Sequence, residues 1–119
     1  MFVGDTKLYG QLVRLSWQCA STFRVTDYQG GCNGARIRHA PGKDWPVNTN
    51  LDKVLDKLEA VKSEFGSSLS WADLIILAGT TALEKAGNIE IPFCDVGRVD
   101  ADTGEGWQFL YPDIRLVFT

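Results

Sequence analysis

Leu12-Val13-Arg14-Leu15-Ser16-Trp17-Gln18 is the stretch whose reading decides the fold. Side chains three and four apart share one face of an α-helix, so the run gathers Arg14, Trp17 and Gln18 on one side. That side carries a fixed cation, a large aromatic ring and a neutral amide. A second stripe, Leu8, Leu12, Leu15 and Cys19, supplies an apolar face for a core. The pattern predicts a helix capped by Asp5 or Thr6 and running to about Thr22.

Working outward, Gly30-Gly31, Asn33-Gly34, Pro41-Gly42 and Trp45-Pro46 make the stretch from about 27 to 49 a series of turns. A second helix follows, with Leu51, Val54, Leu55, Leu58, Val61 and Phe65 at helical spacing and Asp and Lys residues opposite. Thr49-Asn50-Leu51-Asp52 is its expected capping box and Gly66 its stop. A third helix is expected from Ser70, with Asp73 three residues on, to Gly87. Its centre, Leu74 to Gly79, is apolar all round and implies burial. Ala78, Gly79 and Ala82 leave room for a neighbouring helix to approach closely. Ile89 to Phe93 reads as a short extended piece, Asp95 to Gly106 as loop, and Pro112 to Phe118 as the start of another helix. The expected class is all-α, with three main helices and long ordered loops in a single domain over 1–119.

The 119 residues, 45% of them hydrophobic, are enough for one modest core, and a net charge of −3 gives no electrostatic reason to expect nucleic acid. Arg36, Arg38 and Lys43 form a short basic group, expected on a solvated surface. No apolar run is long enough to span a bilayer. No targeting pattern follows Met1, so either the protein stays where it is made or a leader has already been removed. Cys19, Cys32 and Cys94 are odd in number and lack C-x-x-C spacing, which points to reduced, buried thiols in an intracellular reducing compartment, an organelle included. With His39 the only histidine, no zinc-ligand spacing is evident.

Several blocks resemble the plant-type (class I) haem peroxidase superfamily, above all the catalase-peroxidases. They are Leu12 to Trp17, Ala20 to Arg24, Gly30 to Arg38, Ala40-Pro41, Asp44-Trp45 with Asn48, Leu51 to Lys53, Ser70 to Ile75, Leu77 to Gly79 and Gly97 to Asp100. Ala20-Ser-Thr-Phe-Arg24 and Asn33-Gly-Ala-Arg-Ile-Arg38 are most similar to the C-terminal, haem-free half of catalase-peroxidases. Trp45-Pro-Val-Asn48 and Ser70-Trp-Ala-Asp73 are equally like the catalytic half, and both ancestries stay open.

The resemblance implies a distal peroxide site. Arg14 takes the position of an arginine that stabilises charge as the O–O bond breaks. Trp17 takes the tryptophan position, and Asn48 that of an asparagine which hydrogen-bonds the acid–base histidine. Gln18 stands where that histidine is expected. An amide has no nitrogen that titrates near neutral pH, and losing a positioned acid–base group costs on the order of 10²–10⁴ in rate. The family's iron is held by a proximal histidine on a later helix. Asp113 to Phe118 fits the start of that region, and no histidine follows His39. Met1 is the only methionine, so the family's Met–Tyr–Trp crosslink is not expected either, although Tyr111 fits its tyrosine.

The expectation is therefore the distal half of a peroxidase-like domain, catalytically inactive, with no cofactor. It would serve as an accessory subunit on a larger protein assembly that covers an exposed apolar face. Two other readings stand beside it: a haem peroxidase completed by a partner or a further C-terminal part, and a self-associating module. Without haem, Arg14 is expected to pair with Asp5 or Asp44, Trp17 and Trp71 to be core aromatics, Gln18 to fill space and Arg98 to form a structural ion pair.

Overall fold

The computed structural model describes residues 6–28, 30–93 and 97–103. Three helices carry the fold: α1 (Thr6–Ala20), α2 (Leu51–Phe65) and α3 (Trp71–Gly87). Between α1 and α2 the chain makes single 3₁₀ turns at Arg36–Arg38, Gly42–Asp44 and Pro46–Asn48, and another at Gly66–Ser68 leads into α3. Among the described residues the only β-type pairing is an isolated bridge between Gly34 and Asp100. The expected helix at 112–118 lies outside the described residues, as does Tyr111.

The apolar stripes form one core. Leu8, Leu12, Leu15 and Cys19 of α1 meet Leu51, Val54 and Leu58 of α2 and Ala72, Leu74, Ile75, Ala78 and Ala82 of α3. The closest pairing is α1 with α3, and the expected small residues explain it. A Cβ on Gly79 would overlap the Oγ and Cβ of Ser16, so glycine sets how near the two backbones come. The outer end of the α2 stripe departs from expectation, because Phe65 is half exposed.

Helix ends show what spacing resolves and what it does not. Ser70 caps α3 as expected, its Oγ accepting from Asp73 N at 3.1 Å. Gly66 ends α2 with φ 55°, its N–H donating to Lys62 O. The capping box at Thr49 does not form. Asn50 stands before α2 with φ 69° and no side-chain cap, while Thr49 Oγ1 donates to Pro46 O at 2.7 Å. Thr49 is drawn back into the preceding turn, so its hydroxyl cannot serve the helix that follows.

The cysteine expectation is corrected. Cys19 and Cys32 are buried as expected, but they are joined in a disulfide across 13 positions. The spacing rules look for short metal or redox motifs and cannot see a pair brought together by a loop folding back on α1. Without free thiols at 19 and 32, these cysteines no longer argue for a reducing compartment. Cys94 lies outside the described residues. No helix among them is long and apolar enough to cross a membrane.

Candidate functional site

Arg14, Trp17 and Gln18 lie on α1, and Asn48 lies in the Pro46–Asn48 turn. Arg14 makes the connection. Its Nη1 donates to Thr49 O at 2.8 Å and its Nη2 to Val47 O at 2.7 Å, so the guanidinium fork grips the carbonyls on either side of Asn48. A rigid planar fork suits two carbonyls that a tight turn points the same way. Neither Asp44 nor another described carboxylate pairs with Arg14, which corrects the expected ion pair; Asp5 lies outside the described residues.

Trp17 is 65% exposed and is not the core aromatic expected. One position further on, Gln18 is half-buried. Asn48 is 4% exposed, and its Nδ2 donates to Gly42 O at 2.8 Å. Its Oδ1 is buried with no hydrogen-bond partner, a costly state for an amide oxygen, on the order of 1–3 kcal/mol. The site thus combines an engaged cation, a wet indole, a neutral amide and one orphaned acceptor. None of these four groups can both take up and return a proton near neutral pH.

A second constellation, at the N-terminus of α3, is where the polar side chains are most tightly organised. Asp100 accepts from Trp71 N through Oδ2 at 2.8 Å and from Ala72 N through Oδ1 at 2.9 Å. A carboxylate on the first free N–H groups of a helix is favoured by both hydrogen bonding and the helix dipole. Arg98 and Asp73 form the expected ion pair at 2.9 Å, largely shielded from water. Arg38 is less solvated than expected of a surface cation. It donates to Ala101 O at 3.1 Å and lies 5.9 Å over the Trp71 ring. Burial pushes its guanidinium below the ordinary value, and the nearby Asp100 and Asp102 charges pull it back up. His39 Nε2 is 2.8 Å from the same Ala101 oxygen. The reading of spacing missed Asp100. The available signal was an accounting one: Ser70 satisfies a single N–H of α3, so the buried first turn needed another acceptor.

Two hollows remain. A cleft of about 570 Å³ is lined by Phe23, Tyr28, Gly31, Cys32, Ile76 and Arg98, among others. An apolar groove of about 510 Å³ runs between α2 and α3 past Val61, Phe65, Leu69, Leu74 and Leu77.

With this geometry in hand, comparison with known proteins is direct. The model of the family described as Peroxidase matches residues 1–113. The chain belongs to the peroxidase family. A catalase-peroxidase of Pseudomonas entomophila (strain L48) is 51% identical over 100 residues, covering 80% of this chain and 13% of that protein. One from Solibacter usitatus (strain Ellin6076) is 54% identical over 97 residues, covering 76% of this chain and 13% of that protein. One from Rhodopseudomonas palustris (strain BisB18) is 53% identical over 106 residues, covering 83% and 14%. The chain therefore spans about 13% of the length of these curated relatives. The family assignment and the all-α architecture agree with the sequence reading.

Proposed function

We propose that this part of the family fold is a haem-free, catalytically inactive peroxidase-like unit that acts as a structural or accessory element docked on a larger protein assembly. The observation that carries the reading is the state of Arg14. The cation that would have to face a separating peroxide is held by two main-chain carbonyls, beside a glutamine that cannot shuttle a proton. The donor set of the described residues argues the same way. A haem iron needs an axial His, Cys thiolate, Met or Tyr. His39 is engaged with Ala101 O, and Cys19 and Cys32 are bonded to each other. For the described histidine and these two cysteines, that engagement supports the haem-free reading. The docked role is supported by the apolar groove between α2 and α3 and by the half-exposed Phe65 beside it.

A second reading has its own support. The relatives named above are catalase-peroxidases at about 50% identity, and Asn48 keeps a buried, unpartnered acceptor at the site. On that reading haem and its ligand would come from outside the residues described here. An absorbance spectrum of the protein from its native source, with its mass in solution, separates the two. The accessory reading expects no Soret band and a particle of larger mass than the protein alone. A Soret band that shifts with peroxide would overturn it, and a haem-free monomer would overturn the docked role.

A further inference from the structure

The Cys19–Cys32 disulfide lies at one end of a chain of contacts that reaches the N-terminus of α3. Cys19 sits in the last turn of α1, and Cys32 in the loop after it. Directly beyond Cys32, three hydrogen bonds seize the 97–103 segment. Val99 N donates to Asn33 Oδ1 at 2.9 Å, Gly34 N to Val99 O at 2.6 Å, and Ala101 N to Gly34 O at 2.7 Å. That segment in turn presents Asp100 to the Trp71 and Ala72 amides. The Cys32 sulfur itself lies 3.8 Å from Ala72 O. Besides the disulfide, this loop meets the chain just after α1 through Gly31 N donating to Thr22 Oγ1 at 2.9 Å and through Gly30 and Gly31 packed against Thr22 and Phe23.

We propose that the Cys19–Cys32 disulfide is a redox clamp: it fixes the 32–34 loop that positions Asp100 as the cap of α3, and its reduction by a dithiol loosens that cap while the helices stay packed and the Arg98–Asp73 pair keeps the segment tethered. Cys19 and Cys32 belong to the core, but the α1–α3 seam is built at Leu12, Leu15, Ser16 and Gly79, so it is expected to persist without the bond. Both cysteines are 5% exposed, and Cys32 lines the 570 Å³ cleft through which a reductant would approach. A thiolate of the dithiol therefore attacks Cys32 Sγ, forming a mixed disulfide and expelling the Cys19 thiolate, which takes a proton from solvent. The second thiol of the reductant, deprotonated, then attacks the mixed disulfide and leaves as the cyclic disulfide. Cys32 is released as a thiolate and protonated. Two electrons and two protons pass from the dithiol to the protein. Cys19 leaves toward the negative end of the α1 dipole, which disfavours its thiolate and makes opening slow without a good reductant.

Hydrogen exchange on the full chain, oxidised and then reduced with dithiothreitol, tests this. The amides of Gly34, Trp71, Ala72, Val99 and Ala101 are expected to exchange at least about fivefold faster on reduction, the size of losing a helix cap, while the centre of α2 is unchanged. Unchanged exchange at those five amides would overturn the clamp. An equal rise through α2 would also overturn it, making the bond a staple of the whole fold. So would alkylation showing Cys19 and Cys32 free in the oxidised protein. The Asp100→Ala variant supplies an independent check with the disulfide intact. It should speed Trp71 and Ala72 alone, and reduction should then add nothing at those two amides; a further rise of the same size would overturn the coupling.

Discussion

Helix α1 has two faces that behave differently. The inner one, with Leu8, Leu12, Leu15 and Cys19, packs as its spacing demands and meets α3 where Gly79 admits Ser16. On the outer face, where Arg14, Trp17 and Gln18 are expected at family site positions, the structure uses Arg14 as a tether for a loop and leaves Trp17 to solvent. Packing follows residue type and period closely. Chemistry depends on what each polar atom meets, and a residue can keep its place in a motif while its atoms are engaged elsewhere.

The largest effect should come from the inner face. Gly79→Ala forces its new Cβ into Ser16, and a short serine side chain on a helix cannot swing away. The expected loss is about 3 kcal/mol in denaturant unfolding, typical of overpacking a close seam. Ser16→Gly in the same chain should recover part of it, less about 1 kcal/mol for a glycine inside a helix. Additive losses in the double variant would show that the two residues do not share the seam.

The disulfide ranks next. Replacing Cys19 and Cys32 together by Ser removes a closure across 13 positions, with an expected cost of about 2–3 kcal/mol from the freed unfolded chain. Equal unfolding midpoints for this variant and the native protein under oxidising conditions would mean that the loop is held by its hydrogen bonds alone.

Much of this molecule could be read from its residues. The three helices, the Ser70 cap, the Gly66 stop and the Gly79 approach all follow from local rules or short spacing. The rest depends on segments distant in sequence. Thr49 failed as a cap because the 46–48 turn took its hydroxyl. Cys19 met Cys32, and Asp100 met α3, only because the 30–34 and 97–103 segments fold back. Arg14 was expected beside a carboxylate, yet carbonyls flanking Asn48 satisfied it, a choice that side-chain types cannot reveal.

On the outer face the effects should be smaller. Arg14→Leu removes two hydrogen bonds at an exposed position, so the expected cost is about 1 kcal/mol. The loss should be local, appearing as faster exchange at Asn48 and Thr49, whose amides close the 46–48 turn onto Trp45 and Pro46. A large global loss would instead place Arg14 among the core determinants and narrow the difference between the two faces.

Gln18→His is the sharpest test because the expected effect is the smallest. The side chain is half-buried and the two residues differ little in volume, so stability should change by no more than about 0.5 kcal/mol. If the outer face is structural, an imidazole there still lacks a neighbouring cation, since Arg14 remains on Val47 and Thr49. Peroxide turnover should stay at background, with no Soret band. A gain on the order of 10²-fold in haem-dependent turnover would mean that one proton-carrying group was all the site lacked. The two faces of α1 would then differ only by Gln18, and the accessory reading would fall.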